Sequence, residues 1–105
     1  MENNKYTITI TKHQQGSALT LSLEGVLDSL TCKELNAVLE TSLAGIDNLT
    51  FDLEKLSYIS SAGLRSLLVA QKTMAKQGKM VIRGANETVL ETFRSIGFDR
   101  IMNIE

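Results

Sequence analysis

Two adjacent hydroxyl groups, those of Ser60 and Ser61, stand where an alternating apolar run gives way to a run with helical spacing. Ala62 and Gly63 follow directly, so the junction combines two hydroxyls with two small residues. Backbone N–H groups at the start of a helix lack partners within the helix and carry partial positive charge, which favours an anion. A serine at this junction can cap the helix or carry a phosphate group. The residues themselves leave both roles open.

A serine nucleophile is a third use of such a hydroxyl, and it requires a neighbouring base. The only histidine, His13, lies in a polar stretch typical of a hairpin turn and has no evident route to the serines. The chain lacks the Gly-x-Ser-x-Gly motif of hydrolases and the glycine-rich motifs that bind nucleotide phosphates. We therefore expect no catalytic residue and no enzyme, and a small serine hydrolase is the least favoured function.

The composition is ordinary for a soluble globular protein, with 43% hydrophobic and 22% charged residues and a formal net charge of -1. The basic residues are scattered, which argues against nucleic acid as a partner. The chain has no apolar run of membrane-spanning length and no signal peptide, so we expect a cytoplasmic protein without membrane insertion. One cysteine, Cys32, and one histidine do not make a metal site, and no cofactor is predicted.

The hydrophobic pattern predicts one α/β domain over residues 1–105. Alternating runs at 6–10 and 18–23, with a Gln-Gln-Gly-Ser turn between them, predict an N-terminal β-hairpin that ends at Gly25. Helices and strands then alternate, with a strand at 49–53 and a helix over 60–77. Further elements are a strand at 79–82, a helix after Asn86 and a short strand at 101–104. Such alternation implies parallel strand pairs, so we expect a mixed sheet with helices mainly on one face.

Several residues are placed to begin or end these helices. Thr31 and Glu34 have the spacing of a capping box at the start of the first helix. Gly78 is expected to end the second helix in a left-handed conformation. Asn86 is expected to cap the third helix, with Val89, Leu90, Phe93 and Ile96 on its buried face and Gly97 at its end. Gly63 is unusual, because glycine in a first turn costs up to about 1 kcal/mol relative to alanine. It suggests close approach of another surface or tight packing on the sheet.

Four segments, in a fixed order, carry a resemblance to a known family. They are Gly25, Leu27, Asp28 and Thr31 in a Gly-x-Leu-Asp-x-x-Thr pattern, the strand Phe51-Asp52-Leu53, the run Ile59-Ser60-Ser61-Ala62-Gly63-Leu64-Arg65, and Gly97-Phe98-Asp99. Together they resemble the STAS family, most closely its stand-alone anti-sigma factor antagonists, over essentially the whole chain. The run from Ile59 to Arg65 matches one form of the family's signature loop residue for residue, and we call it the signature loop.

The resemblance implies a STAS-like domain that works as a partner switch controlled by phosphorylation. In the family, the unphosphorylated domain binds an anti-sigma factor, which is a serine kinase of the histidine-kinase-like fold, and so frees a sigma factor. The kinase phosphorylates a serine of the signature loop and the complex weakens. A PP2C-type phosphatase restores binding. The resemblance also admits a STAS subunit of a larger assembly, of the phospholipid-transport or stressosome type, that binds without being phosphorylated.

The resemblance also implies which residues take part. In members with an Asp-Ser-Ser-Gly-Leu loop, the phosphorylated serine aligns with Ala62 of this chain. Either Ser61 accepts the phosphate one position earlier, with Ser60 as the second choice, or the loop is a docking surface without that switch. The expected partner-binding residues are Asp28, Ser60, Ser61, Ala62, Gly63, Arg65, Val69 and Lys72.

Overall fold

The computed structural model describes residues 7–105, and its five strands form one mixed sheet in the order β1-β2-β3-β4-β5. The strands are β1 (Ile8–Gln15), β2 (Ala18–Leu27), β3 (Asn48–Ile59), β4 (Lys79–Arg83) and β5 (Asn103–Ile104), and the helices are α1 (Cys32–Ser42), α2 (Ser61–Ala75), α3 (Glu87–Ser95) and α4 (Phe98–Ile101). β1 and β2 form an antiparallel hairpin, and the later neighbours are parallel. The predicted hairpin and alternating units are confirmed. Tyr6, the start of the predicted first strand, lies outside the described residues.

The core lies on one face of the sheet. β2 and β3 bury alternate side chains, and the buried ones include Leu21 and Phe51, which are fully inaccessible. Their neighbours on the other face, such as Ser22 and Asp52, are polar and partly exposed. Because right-handed crossovers between successive parallel neighbours place the connecting helices on the same side, the helices cover the apolar face. This arrangement confirms the predicted distribution of helices.

The two central strands are longer than the alternation predicts. β2 continues past Gly25 to Leu27, and β3 continues past Leu53 to Ile59. Two register shifts each place an extra residue in β3, so its buried side chains change from a spacing of two to a spacing of three. The strict alternation stops at these irregularities although the pairing continues. The extension matters because it carries β3 directly into the signature loop.

The predicted capping box at the start of α1 is wrong. The Thr31 side chain makes no capping bond to α1; its Oγ1 accepts from the Asp28 N–H at 2.9 Å and donates to the Val26 carbonyl at 2.8 Å. The Thr31 N–H, which Glu34 would accept in a capping box, donates to Asp28 Oδ1 instead. The Asp28 side chain accepts hydrogen bonds from the backbone two and three residues later in the sequence, and this turn replaces the capping box because both would use the same Thr31 N–H.

The predicted left-handed conformation of Gly78 at the end of α2 is also wrong, although glycine is required at this position for another reason. Gly78 is not among the glycines with positive φ, and α2 ends earlier, at Ala75, with Lys76 as its C-cap. A Cβ atom at Gly78 would overlap the backbone of Asp47, whose carbonyl accepts from the Lys79 N–H at 3.0 Å. Glycine is required there because two stretches of backbone approach closely, and not because the chain turns left-handed.

The third helix and the C-terminal segment agree with the prediction in part. Asn86 caps α3, with its Oδ1 accepting from the Val89 N–H at 2.9 Å, and Gly97 is left-handed at φ 80°. Ile96, predicted on the buried face, is 53% exposed because α3 already ends at Ser95. Ile101 belongs to the short helix α4, and the last strand comprises only Asn103 and Ile104.

Candidate functional site

The ends of β2 and β3 bring together two segments that are distant in the sequence. Leu27 and Ile59 are paired in the sheet, and the Ser60 N–H donates to the Leu27 carbonyl at 2.9 Å. Since the carboxyl ends of neighbouring parallel strands meet at one edge, the segments that follow them lie side by side. These segments are residues 28–31, which we call the Asp28 loop, and the start of α2.

Ser60 and Ser61 have different tasks. Ser60 is the N-cap of α2, with extended backbone, and its Oγ accepts from the Gly63 N–H at 3.3 Å. Ser61 is the first residue of α2, is exposed, and makes no side-chain hydrogen bond within residues 7–105. A hydroxyl that holds a helix cap is committed to the fold, whereas an uncommitted exposed hydroxyl is available for modification. The geometry therefore assigns capping to Ser60 and leaves Ser61 accessible.

Gly63 allows the start of α2 to sit directly on the sheet. A Cβ atom at this position would lie 2.8 Å from Leu27 Cγ and 2.9 Å from both Ile59 Cγ1 and the Leu27 carbonyl oxygen. Gly63 itself is buried. Of the two reasons that the sequence offers for this glycine, tight packing on the sheet is the one that the contacts support. The absence of a side chain at Gly63 thus lets the start of α2 pack directly against the ends of β2 and β3.

The carboxylate of Asp28 organises its own loop. Its Oδ1 accepts from the backbone N–H groups of Leu30 and Thr31 at 3.0 and 2.9 Å, and it lies 3.2 Å from Thr31 Oγ1, whose proton is closer to the Val26 carbonyl. The Thr31 N–H is the largest cause that holds the pKa of the Asp28 carboxyl below its usual value, and partial burial opposes it. The bonds fix the loop in a conformation that leaves the Leu30 side chain 68% exposed.

Asp28→Asn should make the stability less dependent on acid pH. The amide retains an oxygen that can accept the same N–H bonds but has no charge. Because the pKa of Asp28 is lower in the folded chain, its charge stabilises the fold above the unfolded-state pKa of about 3.9, and that stabilisation is lost as the pH falls through the folded-state pKa. Urea unfolding should show the wild type more stable than the variant near pH 6, with the gap shrinking as the pH falls below the unfolded-state pKa and through the folded-state one. A gap that keeps its size as the pH falls would contradict this role.

A groove of about 410 Å³ runs between α1 and α2, beside the signature loop. We call it the α1–α2 groove. Ser66 Oγ donates to Asn36 Oδ1 at 2.7 Å and joins the two helices. The predicted residues Ala62, Arg65 and Val69 line the groove, whereas the predicted Lys72 is exposed on α2 but is not among the lining residues. The structure therefore places three of the eight expected partner-binding residues along the α1–α2 groove.

Two exposed apolar side chains, one of them in the Asp28 loop, were not among the residues that the sequence analysis proposed. Leu30 is 68% exposed in the Asp28 loop, and Tyr58 is 49% exposed near the end of β3. Only Val69, 54% exposed on α2, was among the expected residues. Tyr58 is out of phase with the buried residues Leu56 and Ile59, but that phase becomes visible only once the irregularities in β3 are known. Leu30 lies in a connection without periodicity, so the sequence contains no comparable signal for it.

Histidine does not support catalysis at Ser61. His13 was predicted to lie in the hairpin turn, but it lies in β1, where it pairs with Thr20 near the start of β2. Ser61 follows the far end of β3, which lies on the other side of β2 from β1, and the seven residue steps along β2 from Thr20 to Leu27, at about 3.3 Å each, separate the two positions by more than about 20 Å. Within residues 7–105, no cluster of three or more His, Cys, Asp or Glu side chains could hold a metal ion. None of the helices described in that range has the length and apolar character to cross a membrane.

The architecture is that of known anti-sigma factor antagonists. A crystal structure of such an antagonist from Mycobacterium paratuberculosis matches with a TM-score of 0.83 at 18% identity, over 92% of this chain and 84% of that chain. The phosphorylated form of SpoIIAA, a Bacillus cell fate determinant, matches with a TM-score of 0.73 at 18% identity, over 92% of this chain and 91% of that chain. At this level of identity, both similarities define the fold.

Sequence comparison defines the family. The family model described as "Mlab, STAS domain" matches residues 10–103. BtrV of Bordetella bronchiseptica, which is named as a candidate anti-sigma factor antagonist, is 39% identical over 82 residues, covering 76% of this chain and 71% of BtrV. The chain belongs to the STAS domain family.

Proposed function

We propose that this protein is a cytoplasmic anti-sigma factor antagonist, a regulator that binds an anti-sigma factor and thereby frees a sigma factor. The observation that carries the proposal is the exposed Ser61 at the start of α2, beside the Asp28 loop and the α1–α2 groove. Membership of the STAS family and the similarity to BtrV support it. The proposed partner is a serine kinase of the histidine-kinase-like fold.

The proposed docking surface combines apolar and charged side chains and extends from the carboxyl edge of β2 and β3 along α2. Leu30 and Val69 supply exposed apolar area, which gains free energy when it leaves water. Arg65 supplies a charge that can fix the orientation of a partner. The docking surface comprises Asp28, Leu30, Ser60, Ser61, Ala62, Arg65, Val69 and Lys72, with Gly63 buried beneath it.

The proposed switch is a phosphate ester on Ser61. Transfer forms a bond between Ser61 Oγ and the γ-phosphorus of ATP, breaks the bond to ADP and releases the hydroxyl proton. The product brings about two negative charges and three acceptor oxygens to the docking surface. These charges would have to lose water when the partner docks, so the complex weakens. A PP2C-type phosphatase hydrolyses the ester and restores binding.

A second candidate function has a specific observation in its favour. In family members with an Asp-Ser-Ser-Gly-Leu loop, the phosphorylated serine aligns with Ala62, which has no hydroxyl. The alternative is a STAS subunit of a larger assembly, of the phospholipid-transport or stressosome type, that uses the same docking surface without phosphorylation. The two functions differ in whether Ser61 accepts phosphate.

Phosphorylation of Ser61 by the captured partner is the test of the proposed function. The tagged protein would be incubated with native cell extract in the presence of ADP, and the bound anti-sigma factor would then be purified and supplied with ATP. Mass spectrometry should find one phosphate per chain, on Ser61, and Ser61→Ala should abolish it. Ser60→Ala should still be phosphorylated, although loss of its capping bond should lower stability by about 1 kcal/mol. Absence of phosphate from the wild-type chain would reject the switch and favour the assembly subunit.

A further inference from the structure

We propose that Arg65 is the residue that pairs with the phosphate on Ser61 and so takes part in the switch from within the chain. The inference rests on the proposed phosphorylation of Ser61 and extends it to a second residue. It follows from three features: the spacing of the two residues on α2, the absence of a competing acid, and the exposure of both side chains.

The spacing places the two side chains next to each other. Ser61 and Arg65 are four residues apart near the start of α2, and residues at this spacing lie on the same face of a helix with Cβ atoms about 5–6 Å apart. An acidic group four residues before a basic one is the more favourable order. Phosphorylation would create that order, because the hydroxyl at position 61 would become an anion.

The Arg65 guanidinium has no acidic partner that would hold it elsewhere. Neither of the two salt bridges found in residues 7–105 includes Arg65, and the first turn of α2 contains no acidic residue. Arg65 is exposed, so its side chain can move without disturbing the core. The acidic groups on the adjacent segments are Asp28, which is bonded within its own loop, and two residues of α1, Glu34 in its first turn and Glu40 on the opposite wall of the groove; none of them forms a salt bridge with Arg65.

Pairing would add a second change to the charge of the docking surface, beyond the phosphate itself. The planar guanidinium can donate two parallel N–H bonds to phosphate oxygens, which a lysine cannot do. Once paired, Arg65 is no longer free to contact an acidic group of the partner. Phosphorylation then adds an anion at Ser61 and also withdraws a cation from the rim of the α1–α2 groove.

The pairing can be measured without any kinase. Phosphoserine would be incorporated at position 61 during translation, and phosphorus NMR would follow the second ionisation of the phosphate, which ordinarily has a pKa of about 6. Because a nearby cation favours the dianion, Arg65→Gln should raise this pKa by about 0.4. Arg65→Lys should retain part of the effect, since it keeps the charge but loses the two-fold geometry. Lys72→Gln, the matched loss of one positive charge farther along α2, should leave the value unchanged.

Two outcomes would overturn the inference. One is an equal phosphate pKa in wild type and Arg65→Gln, and the other is an equal rise in Lys72→Gln, which would indicate a general field and no pair. Thermal unfolding of each variant, expected to match the wild type, shows that the measurement is made on folded protein. Failure of the kinase to modify Ser61 would reject the proposed function but would leave the NMR result standing.

Discussion

Gly63→Ala is expected to lower the free energy of unfolding by about 2 kcal/mol and the melting temperature by about 10 °C. The added methyl group would lie within 3 Å of two side-chain carbons and one backbone oxygen, at Leu27 and Ile59. Alanine would gain up to about 1 kcal/mol from its helix propensity. The clash should prevail because the Leu27 carbonyl belongs to the sheet and already accepts the Ser60 N–H, so it cannot shift cheaply.

Two further variants separate the clash from other effects of adding a methyl group. A Cβ at Gly45 would meet nothing within 4 Å, but its φ is +79°, so Gly45→Ala should show only a backbone cost of about 1 kcal/mol. Leu27→Ala alone should cost about 3 kcal/mol, because Leu27 is fully buried. Combined with Gly63→Ala, it should cost less than the sum of the two, since it removes one of the clashing atoms. Unfolding of the four variants and the wild type can be followed by circular dichroism. Full additivity of the two single losses in the double variant would contradict a clash between position 63 and Leu27.

The order of the elements could be predicted because strict alternation and helical spacing reflect which side chains are buried. The predicted bounds of the elements were less accurate where the backbone departs from the regular strand and helix periods. The extra residues in β3 keep Leu56 and Ile59 buried at a spacing of three, and a period of two cannot describe them. Gly78 was recognised as special, but the reason is an approach to Asp47, which lies about thirty residues earlier and on a different connection. Contacts of that kind depend on the tertiary fold.

The segments that form the candidate site could be named from the sequence, but the hydrogen-bonding role of each residue in them could not. The family resemblance singled out Asp28, Ser60 and Ser61, and the structure assigns the first two to hydrogen bonds within the chain. In the proposed complex, a carboxylate bonded to its own loop would affect a partner through the side chain that the loop exposes, which is Leu30. Hydrogen-bond partners at the end of a strand depend on how the turn closes. The residue types alone do not distinguish an organising aspartate from a contacting one.

Phosphoserine at position 61 is expected to lower the affinity for the captured anti-sigma factor at least about 100-fold, equivalent to about 2.7 kcal/mol. A dianion at the docking surface must either lose water on docking or keep the partner at a distance, and both reduce binding. Ser61→Ala should remain within a few-fold of wild type, because a lone exposed hydroxyl contributes little. The affinities can be measured by calorimetry with the purified partner and protein carrying phosphoserine incorporated during translation.

A matched control carries the same modification elsewhere on the chain. Ser95 is exposed at the end of α3 and is not part of the docking surface, so phosphoserine there should leave the affinity unchanged while altering the net charge equally. Equal losses at both positions would point to general repulsion between two negatively charged proteins, which salt would screen. An unchanged affinity with phosphoserine at position 61 would remove Ser61 from the contact region. The chain would then bind its partner through a surface that the phosphate does not reach, outside the proposed docking surface around Ser61.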